Sequence, residues 1–159
     1  MAVAVRRATR EDATKIAEFS VALAEQHYFY DQVRFTRLIT RKGAASYYGG
    51  RSEAESAAVL VAEIAGRIVG FAYMEYEPVL YAELATKVAW LHDIFVDPDA
   101  RTSGAGHALL DAVAAEARRQ GANKVLLSVA EKNENAQRFF EQYGYRQTMR
   151  EMMFAIEKE

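Results

Sequence analysis

The apolar residues follow two periods, one of about two residues and one of about three and a half, and the switches between them mark out the elements. Val3 to Arg7 is a short apolar stretch that predicts a first strand. Thr9, followed three residues later by Asp12, has the form of a capping box and opens a helix with Ile16, Phe19, Leu23 and Ala24 on one face. A second helix is expected from about Gln32 to Tyr47, with Phe35, Leu38 and Ile39 inward and Gly49-Gly50 as its end. Between the two helices stands His27-Tyr28-Phe29-Tyr30-Asp31, an aromatic cluster that either packs the helix junction or meets a ligand. Ala57 to Ile64 and Ile68 to Tyr76 predict a hairpin around Ala65-Gly66-Arg67, and Glu77-Pro78 is expected to break it, leaving a loop to Thr86.

The pattern is densest from Val88 to Leu110. A strand over Lys87 to Val96 stops at Pro98. A short loop with Arg101, Gly104 and Gly106 then feeds a helix to about Gln120, whose inner face holds Leu109, Leu110, Val113 and Ala117. Gly121 ends that helix. Lys124 to Ala130 predicts a strand entered from a helix, hence parallel to the one before it, so one central β-α-β unit is embedded in a mostly antiparallel sheet. Asn133 to Tyr143 predicts a short helix closed by Gly144, and Thr148 to Ile156 a last strand. The expected class is a mixed α/β (α+β) fold, a twisted sheet flanked by helices, in a single domain over residues 1–159, with no internal repeat or linker.

Composition narrows the functions this fold can serve. At 159 residues the chain can bury roughly 70% of its unfolded surface without staples. Cysteine is absent, which excludes disulfides, thiolate metal sites and a cysteine nucleophile, and no metal is expected. A net charge of −2 without a basic block argues against nucleic acid as a partner. The first residues lack the apolar core of an export signal and no run is long enough to span a membrane, so a cytoplasmic protein is expected.

The loop carries the chemistry. A strand, a glycine-rich turn and a helix N-terminus together aim free N–H groups and a positive dipole end at one point, which suits an anion. A Walker loop would need Gly-Lys-Ser/Thr where this chain has Gly106-His107-Ala108, and the dinucleotide fingerprint a third glycine where it has Leu109. What remains is a loop suited to a pyrophosphate outside a nucleoside triphosphate, or a plain turn before a helix.

From about Leu91 to Tyr145 the chain resembles the core of the GCN5-related N-acetyltransferase (GNAT) superfamily. That family's loop reads Gln/Arg-x-x-Gly-x-Gly/Ala after a strand ending in Val-x-Pro, as Val96-Asp97-Pro98 and Arg101-Thr102-Ser103-Gly104-Ala105-Gly106 do here. Its downstream pattern Asn-x-x-Ala-x-x-Phe-Tyr-x-x-x-Gly-Phe is matched by Asn133, Ala136, Phe139, Phe140, Gly144 and Tyr145. The N-terminal half resembles the family only in its order of elements.

The resemblance implies a GNAT fold and acetyl-CoA as cosubstrate. The backbone of Ile94, Phe95 and Val96 would bond the pantetheine arm. Arg101 to Gly106, with Thr102, Ser103, Gly104 and Ala105 between them and His107 behind, would take the pyrophosphate. Asn133 would contact the cosubstrate beside a helix presenting Ala136, Phe139 and Phe140. The implied reaction is acetyl transfer to a primary amine by direct attack in a ternary complex.

A protonated amine, with a pKa near 10.4, must lose a proton before it attacks, so a base is useful. Family members often carry a carboxylate where this chain has His92, with Asp93 beside it. Strict alternation would turn the two to opposite faces. Phe140 replaces the tyrosine thought to protonate the leaving thiolate, which leaves Tyr143 or Tyr145 as substitutes, or water. For the acceptor, Glu75, Glu77 and Glu83 with Tyr73, Tyr76 and Tyr81, and Asp31 beside Tyr28 and Tyr30, offer carboxylates and rings to a small cationic amine, or else form solvated ends of the fold. The competing class is an acyl-CoA-binding sensor or scaffold without turnover. A homodimer is a further expectation, with Val79-Leu80 and Met152-Met153-Phe154 as contact segments.

Overall fold

The computed structural model describes residues 2–157. Five strands form one sheet in the order β1-β2-β3-β4-β5: β1 (Val3–Arg7), β2 (Ala57–Ile64), β3 (Arg67–Leu80), β4 (Ala85–Val96) and β5 (Lys124–Leu127). The first four are antiparallel neighbours, and β5 runs parallel to β4. Helices α1 (Ala13–Tyr30) and α2 (Arg41–Arg51) cover one face, and α3 (Ala105–Gln120) and α4 (Glu134–Tyr143) the other.

Alternation in the strands builds both cores. Leu60, Ala72 and Met74 face Leu109, Leu110 and Val113 of α3, while Val59, Val61 and Phe71 face Ile16 and Phe19 of α1. Each of the larger of these side chains contributes roughly 1.5–3 kcal/mol on burial. The expected capping box forms: the Thr9 N–H donates to Asp12 at 2.8 Å. Arg6 bonds both Asp12 oxygens, at 2.8 and 3.0 Å, and holds that carboxyl below its ordinary range.

Four expectations need correction. Helix α2 covers Arg41–Arg51 rather than residues 32–47, because Thr40 accepts from the Gly43 N–H and sets the start, while Leu38 and Ile39 stay exposed. Gly49 lies inside α2 and is buried, since the helix packs there against Arg10 and Ala13 of the α1 entrance. Pro78 does not end β3; it stands past the last β2 pair, Ala57↔Glu75, where the lost N–H costs no β2 ladder bond. Finally, residues 148–156 form no strand in this chain, and β5 stops at Leu127, so the β-α-β unit lies at an edge of the sheet instead of its centre.

Candidate active site

The pairing of β3 with β4 slips at one place. Tyr73 pairs with Asp93 and Met74 with Leu91, so His92 is an extra residue in β4, a β-bulge. Before it, Leu91 packs toward α3; after it, Ile94 and Val96 do so while Phe95 packs toward α1. The bulge therefore turns His92 and Asp93 to the same side, contrary to strict alternation. Both line a cavity of about 760 Å³ between α1, α2 and the 31–40 segment. The β4–β5 pairing ends at the same level, at Leu91↔Leu127, so residues 92–96 of β4 have no β5 partner. A split in the sheet thus opens beside the bulge.

Tyr47, Tyr48 and Tyr73 line the cavity beside His92 and, among the described residues, its one acid, Asp93. The Tyr48 hydroxyl donates to Asp93 at 2.6 Å, and Tyr47 and Tyr73 share a hydrogen bond at 2.9 Å. Tyr73 in turn donates to Glu75, which also pairs with Arg51. The rings of Tyr47, Tyr48 and Tyr73 meet edge to face, with centroids 5.2–5.8 Å apart. Burial pushes the Asp93 carboxyl above its ordinary value, with the Tyr48 hydrogen bond pulling back. His92 stacks on Tyr73 at 5.2 Å, and burial lowers its imidazole below the usual value despite the neighbouring Asp93, Glu75 and Glu77. A lowered histidine is neutral at neutral pH and able to accept a proton.

The loop after β4 is built as the sequence pattern predicts. Asp97 and Pro98 turn the chain out of the strand, and Gly104 takes φ +89°, which opens α3 from a left-handed residue. Ser103 Oγ accepts from the Ala105 N–H at 3.2 Å. Among the described residues, the N–H groups of Gly104, Gly106 and His107 have no protein acceptor. Arg101 is exposed, donates from Nε to the Val96 carbonyl at 3.0 Å and spans Phe95, so its charge stands at the loop. Packing is close at Gly106 as well, since a Cβ there would lie 3.0 Å from Phe139 Cζ and press on that ring. Asn133 caps α4, accepting from the Ala136 N–H at 3.1 Å, and so fixes the helix whose Phe139 rests on the loop.

Comparison with known proteins places this arrangement. The family described as "Acetyltransferase (GNAT) family" matches residues 21–145. The chain belongs to the acetyltransferase (GNAT) family. It is 32% identical over 89% of its length to YhfO of Bacillus subtilis (strain 168), named an uncharacterized N-acetyltransferase, and covers 88% of that protein. It is 28% identical over 89% of its length to MJ1207 of Methanocaldococcus jannaschii, of the same description, covering 59% of that longer protein. Its fold matches that of AAC(6')-Iy in complex with a bisubstrate analogue, CoA-S-monomethyl-acetylneamine, with a TM-score of 0.80 at 16% identity over 99% of this chain and 100% of that one. The protein is thus an acetyl-CoA-dependent acetyltransferase of GNAT fold.

Not every residue expected at the acetyltransferase's site is brought to it. Tyr76 points to the α3 face, where its hydroxyl stands against Gly121, away from the cavity. Tyr28 is covered by Arg37, whose guanidinium lies 4.0 Å from the ring centroid. Asp31 is spent on the turn after α1, accepting from the N–H groups of Val33 and Arg34 at 3.0 Å each. Glu75 stays, through Tyr73 and Arg51, behind the cavity wall. Tyr143 donates to Asp111 at 2.7 Å on the outer side of α3 and α4; burial first, then Asp111, pushes it up to about 12. Phe140 is buried in the core, and burial pushes Tyr145, packed against it, up to about 12. Tyr73, expected among the acceptor rings, does line the cavity, whereas sequence reasoning missed Tyr47 and Tyr48, whose place depends on where α2 starts. No group of three or more His, Asp or Glu that could hold a metal occurs among the described residues, and no helix there is long and apolar enough to cross a membrane.

Proposed function

We propose that this acetyltransferase moves the acetyl group of acetyl-CoA to a cationic primary amine that enters through the cavity between α1, α2 and β4. The observation that carries the proposal is the coincidence of the bulge with the end of the β4–β5 pairing. It puts His92 and Asp93 at the cavity floor, next to the strand edge left free at residues 92–96.

The loop fits the cosubstrate. The free N–H groups of Gly104, Gly106 and His107, with Arg101, would take a pyrophosphate, and the free backbone edge of Ile94 to Val96 a pantetheine amide. When bound, acetyl-CoA supplies a thioester whose carbonyl carbon is the electrophile. On the acceptor side, the Asp93 carboxylate and the faces of Tyr47, Tyr48 and Tyr73 attract and hold an ammonium group. His92, neutral at neutral pH, takes the proton that frees the amine's lone pair, directly or through water. The nitrogen–carbon bond then forms, the carbon–sulfur bond breaks and the nitrogen's second proton passes to water, with no covalent link to the protein. Phe140 has no proton to give, Tyr143 is engaged by Asp111 and Tyr145 is in the core, so the sulfur leaves as a thiolate. With a pKa of about 8.5 it needs no protein acid near neutrality.

The test is turnover. A panel of cationic and neutral primary amines is assayed for acetyl-CoA-dependent CoA release, with wild type and His92→Gln. Faster turnover of cationic acceptors, lowered by ~100-fold or more in the variant, supports the reading. Preference for anionic or neutral acceptors, or full activity without His92, overturns it.

A further inference from the structure

The cavity that the acceptor enters has two unlike halves. Its floor carries Asp93, His92 and the buried rings of Tyr48 and Tyr73, while the more exposed walls are built by Leu23 of α1 and by Phe35, Leu38 and Ile39 of the 31–40 segment. Those last three have the spacing of an inward helix face, yet no helix forms over them, and Leu38 and Ile39 stay 80% and 47% exposed. Apolar side chains held open above an active-site floor call for an occupant that is itself apolar.

Charge is distributed as unevenly. Among the described residues, Asp93 is the only acid that lines the cavity, and it stands at the floor. Glu75 lies behind the wall, held by Tyr73 and Arg51. Glu77 and Glu83, which the sequence offered as acceptor carboxylates, line a separate cavity of about 170 Å³ that shares only His92 with the first. Beyond the floor the charged side chain of the lining is a cation, Arg34, and its partner Glu151 is already engaged by it. One ammonium group thus finds one carboxylate. A second ammonium on the same molecule would meet Phe35, Leu38, Ile39 or Arg34, and a cation that loses water without gaining a counter-charge is disfavoured.

The volume leaves room for more than an ammonium end. About 760 Å³ falls within the roughly 300–1,000 Å³ of sites that hold drug-sized molecules.

We infer that the acceptor is a hydrophobic monoamine, with its one ammonium group at Asp93 and His92 and an alkyl or aryl body laid along Leu23, Phe35, Leu38 and Ile39. The inference rests on the reading of this cavity as the acceptor site. Leu38 and Ile39 then determine specificity: they favour apolar acceptors by the surface they cover, and they disfavour polyamines and amino sugars by offering no second counter-charge.

Steady-state acetylation of a homologous series from n-butylamine to n-octylamine, with spermidine as the polycation, tests this. The chain has no cysteine, so a thiol reagent reads released CoA alone. The alkylamines share one ammonium of nearly one basicity and differ only in apolar length. The expected kcat/KM rises by about 2- to 4-fold per added methylene, and spermidine falls below n-octylamine by ~10-fold or more. A flat, falling or silent series beside turnover of another cationic amine, or spermidine at or above n-octylamine, overturns the inference while the acceptor site stands. Absence of acetylation across this series and the wider amine panel removes the acceptor site, and the inference with it. Leu38→Glu/Ile39→Glu places acids on side chains already open to solvent, so the fold is kept, which circular dichroism checks. In that variant the rise with chain length is lost and the n-octylamine-to-spermidine ratio falls by ~10-fold or more. A change that only loosened the segment would slow every amine alike, so an unchanged ratio contradicts the inference.

Discussion

Replacing Tyr48 by phenylalanine isolates the electrostatics of the cavity floor. The substitution keeps the buried ring and deletes one hydroxyl, which donates to Asp93 at 2.6 Å. A hydrogen bond to a charged group contributes ~1.5–3 kcal/mol and one to a neutral group ~0.5–1.5. Losing a donor that favours the charged form therefore raises Asp93 further. Burial already holds this carboxyl above its unfolded value, so the folded state binds its proton more tightly than the unfolded chain. Its contribution to stability therefore falls as pH rises from the unfolded value through the folded one, and stays low above. Tyr48→Phe deepens that fall. Urea unfolding followed by circular dichroism between pH 4 and pH 8 should show a destabilisation of ~0.5–1.5 kcal/mol at the acid end, growing to ~1.5–3 near neutrality. In an Asp93→Asn background the pH dependence of this loss should vanish. A loss of equal size at every pH would refute an ionised Asp93 leaning on Tyr48.

Further outcomes follow from other parts of the molecule. The acid limb of kcat/KM should lie below the ordinary histidine value, because His92 is lowered by burial; Asp93→Asn removes a neighbour that raises it and should move the limb lower still, as a pH–rate profile will show. Arg101→Ala should weaken acetyl-CoA binding by ~10- to 100-fold in calorimetry, the loss of one charge-assisted contact, with thermal stability little changed. A bulky side chain at Gly106 would be a poorer probe, because it would press on Phe139 of α4 as well as on the loop. Glu116, drawn down to about 2 by Arg119, then Gln120 and Arg7, contributes stability that is complete above the usual glutamate value and lost as pH falls toward 2; Glu116→Gln should flatten the acid side of the stability curve over that window.

Much of this molecule was legible in its pattern. β1, the β2–β3 hairpin, α3 with its glycine stop and α4 with Asn133 as cap stand close to where periodicity and capping rules put them, because each is decided by residues within a few positions. The features that failed are decided at a distance. Phe35, Leu38 and Ile39 have helical spacing but border a cavity rather than a core, and the true helix begins where Thr40 finds the Gly43 N–H. Nothing in Leu91-His92-Asp93 announces a bulge, which exists only in register with β3; alternation consequently separated two residues that the fold joins. Of the acceptor residues chosen for charge and rings, Tyr28, Asp31 and Tyr76 are drawn to other partners, while Tyr73 reaches the cavity and meets Tyr47 and Tyr48 from a second element. The tail has the pattern of a strand and lacks a partner within its own chain.

The central claim is acetyl transfer from acetyl-CoA to a cationic amine at the floor formed by His92 and Asp93. Its most direct measurement is mass spectrometry of acceptor and CoA products after incubation of the protein with acetyl-CoA and a primary amine panel. The account predicts N-acetylated cationic amine in equal amount to released CoA, and loss of both in His92→Gln. Acetyl-CoA bound to the protein with no acetylated amine formed from any acceptor would contradict it and leave a binding module without turnover.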